Sequence, residues 1–143
     1  MKRLAIICVI LATATMAVSS ALAAPPIVKV SPTHVNFGTE PVGTTSSADI
    51  TVTNTSSMSL HILIDGGNQP DDFNFGNIAD STCIAIEGQI LAPGESCVAV
   101  IAFEPSDLFA RQHQMGTLLV TVSDPSSGAI LDTVTIVVRG RGK

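Results

Sequence analysis

Apolar and polar residues alternate with a period of two along most of this chain. Residues 48–54, Ala-Asp-Ile-Thr-Val-Thr-Asn, put Ile50 and Val52 on one side and Asp49, Thr51 and Thr53 on the other. That is the pattern of a half-buried strand, because successive side chains of extended backbone point to opposite faces. The same period places Ala99, Ile101 and Phe103 together in residues 97–103, Leu118, Val120 and Val122 in 116–122, and Val134, Ile136 and Val138 in 131–138. Residues 60–64 read as a shorter strand, and residues 27–30 begin a first one that Pro32 interrupts and residues 35–37 resume. Between these runs stand turn signals: Pro41 with Gly43, the polar stretch 54–59, Pro93-Gly94, and Pro125 with Gly128. Proline presets φ for a turn corner and glycine tolerates a positive φ. Pro105 ends the strand before it, since it has no N–H for a ladder. A long loop is expected over residues 65–81, with Phe73 and Phe75 plugging one end of the core. The count comes to about seven strands with no long segment of helical period, which predicts an all-β sandwich.

The amino terminus departs from this pattern. Lys2 and Arg3 precede an apolar run over residues 4–18, followed by Ala21-Leu22-Ala23. That order is the plan of a secretory signal peptide, with cleavage expected after Ala23 and a single domain over residues 24–143. Cleavage one residue later would set Pro25 at the scissile bond. The apolar run falls short of the roughly 20 residues that span a bilayer, and Cys8 lies inside it and not after it, which argues against a lipid-modified cysteine. The reading is therefore a secreted or periplasmic protein with no stable membrane span after cleavage.

Losing residues 1–23 removes two of seven cations and leaves five against twelve carboxylates, a net charge of −7. An acidic domain with no evident basic cluster is a poor match for nucleic acid, whose phosphates need Lys and Arg. With five Phe and no Tyr or Trp, it also has little to stack bases on. Of three cysteines, Cys83 and Cys97 survive cleavage. An even pair in an oxidising compartment predicts a disulfide, and closing a loop of about 15 residues stabilises by about 3 kcal/mol in the chain-entropy model. A redox-active pair would instead stand at C-x-x-C spacing.

Candidate chemistry is sparse. His113-Gln-Met115 offers an imidazole and a thioether, a pair suited to Cu(I), yet His34, His61 and His113 sit in separate segments without chelating spacing. Asp65, Asp71 and Asp72 offer oxygen ligands for calcium but lack the ligand order of an EF-hand loop. Gly94-Glu-Ser96 lacks the second glycine and the strand-to-helix turn of a nucleophile elbow. Asn54-Thr55-Ser56 fits a glycosylation sequon. No cofactor and no enzymatic activity are expected.

A set of motifs in order carries a family resemblance: Pro32, Val35-x-Phe37-Gly38, Val42-Gly43-Thr44, Asn54, Leu60-x-Ile62, Pro93-Gly94-x-x-Cys97, Phe103-x-Pro105, Gly116-x-Leu118 and Gly140. Over residues 30–141 the chain resembles the choice-of-anchor D module, related to the ASPM–SPD-2–Hydin and major-sperm-protein-like immunoglobulin folds. The resemblance implies an immunoglobulin-like seven-stranded β-sandwich with a non-enzymatic binding or structural role. Residues 106–115 depart from it, standing where a short glycine turn is usual. An antibody-type domain would want a buried Trp, a Tyr corner and widely separated cysteines, and a pilus chaperone would need a second domain. The expected role is a structural or protein-interaction module, with a protein partner in the envelope or extracellular space; the alternative is a small-ligand or metal-binding domain. Open sandwiches leave edge strands with unpaired backbone groups, so β-augmentation is the expected mode. The terminal strands, residues 27–30 and 133–138, are the expected edges, with Lys29, Thr135 and Val137 as candidate contact positions.

Overall fold

The computed structural model describes residues 25–68, 70–75, 81–83, 88–109 and 111–143. The export segment read in residues 1–23 lies outside them. Among the described residues nine strands form two facing sheets: β1 (Val28–Ser31), β2 (His34–Glu40), β3 (Ser46–Asn54), β4 (Leu60–Gly66), β5 (Phe73–Phe75), β6 (Gln89–Leu91), β7 (Ser96–Phe103), β8 (His113–Ser123) and β9 (Ile130–Gly142). The four-stranded sheet has the order β1-β3-β7-β5 and the five-stranded sheet β2-β9-β8-β4-β6. The expectation of a β-sandwich therefore holds, but the count is nine where about seven strands were expected. The excess comes from β5, inside what read as one long loop, from β6, and from the splitting of the first strand in two; β5 and β6 have three residues each, too few for an alternation to show.

The expected first strand is really two, which belong to different sheets. β1 pairs antiparallel with β3, and after Pro32 the chain crosses to run parallel to β9 as β2. Proline at the crossing is consistent with a break in both ladders, since it brings no donor. Inward positions follow the predicted faces: Ile50 and Val52, Ile101 and Phe103, Leu118, Val120 and Val122, and Ile136 and Val138 are all buried. Three rings close one end of this core. Phe73 lies 4.8 Å from Phe103 and Phe37 5.5 Å from it, centroid to centroid.

Two polar clasps join the sheets at opposite ends. At one, fully buried Asn54 donates from Nδ2 to the carbonyls of Met58 (2.8 Å) and Leu91 (2.9 Å), while its Oδ1 accepts from Ser56 N (2.9 Å) and Ser56 Oγ (2.8 Å). Every hydrogen-bonding site of that amide is occupied, which is what makes its burial tolerable. At the other, Gln114 Nε2 on β8 donates to Asp72 Oδ2, just before β5. The Cys83–Cys97 disulfide is formed, with Cα atoms 5.0 Å apart. It fixes residues 81–83 along β7, where Cys83 N donates to Val98 O (2.9 Å) and Val100 N donates to Ser81 Oγ (2.9 Å). β5 covers the remainder of that edge of β7, opposite Ile101 to Phe103.

Candidate interaction surfaces

With β7 covered, the strands that end the two sheets are β1 and β5 in one and β2 and β6 in the other. β1 is the last strand of its sheet, and the ladder's alternation decides which of its amides are available. Thr55 N donates to Ile27 O (3.0 Å), and the register continues through Lys29↔Thr53. Lys29 therefore directs its own N–H into the ladder with β3. The outward amides are those of Val28 and Val30. Lys29 lies on an edge strand as expected, but its N–H is not an edge donor.

The expectation of an edge at residues 133–138 needs a larger correction. β9 is interior: β8 flanks it along its length, and β2 joins its other side from Val137 onward. Val137 N donates to Thr33 O (2.9 Å), so Val137 is paired on both sides. Among the described residues Thr135 pairs only with Leu119. It shares the parity of Val137, so its N–H, and that of Thr133, point to the side that β2 has not yet reached. The chain's crossing between sheets thus leaves the first half of β9 open where β2 has not yet begun. Sequence reasoning could not separate Thr135 from Val137, because which strand lies alongside is set by residues a hundred positions away.

The metal candidates do not converge. Asp65 faces outward on β4 opposite Leu119, whereas Asp71 and Asp72 precede β5 at the end of the sandwich. Among the described residues no three His, Cys, Asp or Glu side chains come together as ligands. Asp72 is buried, and burial works against its charged form; hydrogen bonds from Gln114 and from Ser106 N (3.1 Å) outweigh that and hold its carboxyl below the ordinary value. Its oxygens serve the clasp between sheets. Asp71, Glu104 and Asp107 rim a groove of about 730 Å³ beside it.

His113 and Met115 share the outer face of β8, directly opposite Arg141 and Arg139 on β9. Guanidinium groups on neighbouring positions oppose a metal cation there. They also correct the reading that the domain lacks a basic cluster. Arg139 and Arg141 alternate with the inward glycines Gly140 and Gly142, and Arg111 N donates to Gly142 O (2.9 Å), which brings Arg111 alongside. The signal was present as Arg-Gly-Arg-Gly-Lys at residues 139–143. It looked like a polar tail because glycine marks no inward face.

Comparison with known proteins adds the wider setting. The ASH/PapD-like domain 7 of human CEP192 is similar in fold, with a TM-score of 0.71 at 13% identity over 92% of this chain and 96% of that one. The Escherichia coli chaperone DraB gives a TM-score of 0.56 at 13% identity, covering 80% of this chain and 54% of that one. WR4, a major-sperm-protein family member of Caenorhabditis elegans, gives 0.51 at 12% identity over 82% and 98%. No curated protein sequence matches. A family model for HYDIN/CFA65/VesB-like, Ig-like domains matches residues 26–140, and the chain belongs to that family.

Proposed function

We propose that this protein is a non-enzymatic interaction module, exported to the periplasm or beyond, that takes up an extended segment of a protein partner by strand addition. The observation that carries this reading is open backbone in each sheet: Val28 and Val30 on β1, and Thr133 and Thr135 on the first half of β9, direct their N–H groups outward. A strand added there would gain main-chain hydrogen bonds at alternate residues, with side-chain pockets selecting the sequence. The folds among its structural relatives, the chaperone DraB included, support the class of function.

Amide hydrogen exchange tests the mode. In the free protein Val28, Val30, Thr133 and Thr135 exchange quickly while Lys29, Val134 and Ile136 are protected. A bound partner slows the first group. Slowing confined to Asp71, Asp72, Glu104, Ser106 and Asp107 would place the partner at the acidic groove and end the strand-addition reading. Intact mass of the exported protein tests the compartment: it should correspond to a chain beginning at Ala24, and a chain retaining Met1 would contradict export by cleavage.

A further inference from the structure

Five cations follow residue 23, and four of them, Arg111, Arg139, Arg141 and Lys143, gather at one corner of a chain whose net charge is −5. Like charges on neighbouring strand positions repel, so this grouping is unfavourable for the isolated fold. His113, opposite Arg141, adds a fifth group that can carry positive charge. At the same corner the register of β2 against β9 shifts between Asn36 and Thr39, and a groove of about 480 Å³ opens. Its lining includes Asn36, Thr39, His113, Met115 and Arg139. Asn36 Oδ1 accepts from Gly38 N (3.0 Å), so the group its side chain has left to offer is an NH₂ donor. Arg141 Nε is buried, with no acceptor among the described residues. Donors and positive charge thus converge here, and the chemistry they call for is an array of oxyanions.

The spacing narrows the class. Arg139 and Arg141 are two residues apart on one strand, which sets their Cα atoms about 7 Å apart. An extended polypeptide has the same two-residue repeat, so carboxylates at alternate positions fall in step with the two guanidinium groups. Met115, directly opposite Arg139, is exposed and offers an apolar contact beside the guanidinium groups. A nucleic acid fits less well. Phe37, Phe73 and Phe103 are committed to the core, there is no Tyr or Trp, and the acidic remainder of the chain repels a long polyanion.

We infer that the outer face formed by the end of β9 and the start of β8 binds an extended acidic polypeptide segment with Asp or Glu at alternate residues. This surface uses side chains on a sheet face, at the opposite end of β9 from the open backbone rim, and does not depend on strand addition there.

The probe is a fluorescein-labelled peptide of alternating Glu and Thr, read by anisotropy with the full protein. Saturable binding is expected, weakening at least about tenfold from about 50 mM to about 300 mM salt. Arg139→Glu/Arg141→Glu should weaken it by at least about tenfold with a cooperative unfolding transition retained, and Thr135→Pro should leave it intact. Absence of saturable binding, or the same affinity in the Arg139→Glu/Arg141→Glu variant, overturns the proposal. So does equal or tighter binding of oligo-dT of the same charge, which would make the surface a nucleic-acid site. A salt-sensitive dimer of the protein alone, lost on Asp71→Lys/Asp107→Lys, would make the occupant a second copy's acidic groove and overturn it equally.

Discussion

Gly140 is the position where a single methyl group should do most harm. It faces inward on β9, opposite Gln114, and a Cβ built there would come 2.5 Å from Phe103 Cε1, 2.6 Å from Cζ and 2.8 Å from Cδ1. Phe103 has no room to retreat: it is fully buried, with Phe73 at 4.8 Å and Phe37 at 5.5 Å between ring centroids. The backbone at Gly140 is not left-handed, so alanine carries no φ penalty and gains about 0.4–1 kcal/mol by restricting the unfolded chain. Overpacking a filled core costs about 1–3 kcal/mol, and three clashing ring atoms put this site at the upper end. Gly140→Ala should therefore destabilise by about 2 kcal/mol. In a domain of this size that lowers the melting temperature by roughly 8 °C. Urea unfolding measures it, with an unchanged m-value showing that the folded and unfolded states are otherwise alike. Phe103→Leu alone leaves a gap, but in the double variant it vacates the space alanine needs, so the two effects should couple by about 1 kcal/mol or more. A Gly140→Ala protein as stable as the parent, or a double variant whose losses simply add, would refute the packing argument.

Cys97→Ser should lower stability by about 3 kcal/mol, the value for a loop of about 15 residues, and thiol labelling of the denatured, unreduced parent should find neither Cys83 nor Cys97 free. Asp72, with its carboxyl held below the ordinary value, stabilises the fold fully above its unfolded value near pH 4, and that contribution is lost as pH falls through the lower folded value. The gap in unfolding free energy between the parent and Asp72→Asn should accordingly stay level from pH 7 to about pH 5 and shrink below about pH 4; a gap that widens in acid would refute the assignment.

What the sequence disclosed and what it hid divide along a physical line. Period-two runs such as Ile50-x-Val52 and Leu118-x-Val120-x-Val122 mark the buried face directly, so the sandwich and most of its core were legible. Pairing partners are different, because they depend on the whole topology. Nothing local to Thr135 and Val137 says that β2 lies beside one and stops short of the other. Nor does Pro32, which announces a break, say that the chain changes sheets there. Gly140 and Gly142 hid the second half of β9 because their inward face carries no side chain; Phe103 fills that space from the opposite sheet. The basic corner was hidden for the same reason, since without recognising that strand, Arg139 and Arg141 had no common face to share.

Asn54-Thr55-Ser56 acquires a different meaning from the clasp that Asn54 makes. The atom a glycosyltransferase would modify is Asn54 Nδ2, which is buried and already bonded to two carbonyls. Ser56 supplies both donors to Asn54 Oδ1, and Thr55 ties back to Ile27 and Pro26. All three residues of the sequon are occupied by the turn itself. A sugar can be attached only to a chain that has not yet folded, and once attached it denies the two sheets their fastening at that end. Production in a eukaryotic secretory line should therefore yield two populations, an unmodified one that folds and a glycosylated one that does not. Deleting the sequon through Asn54 or Ser56 would carry a stability cost of its own, because either change breaks the same turn.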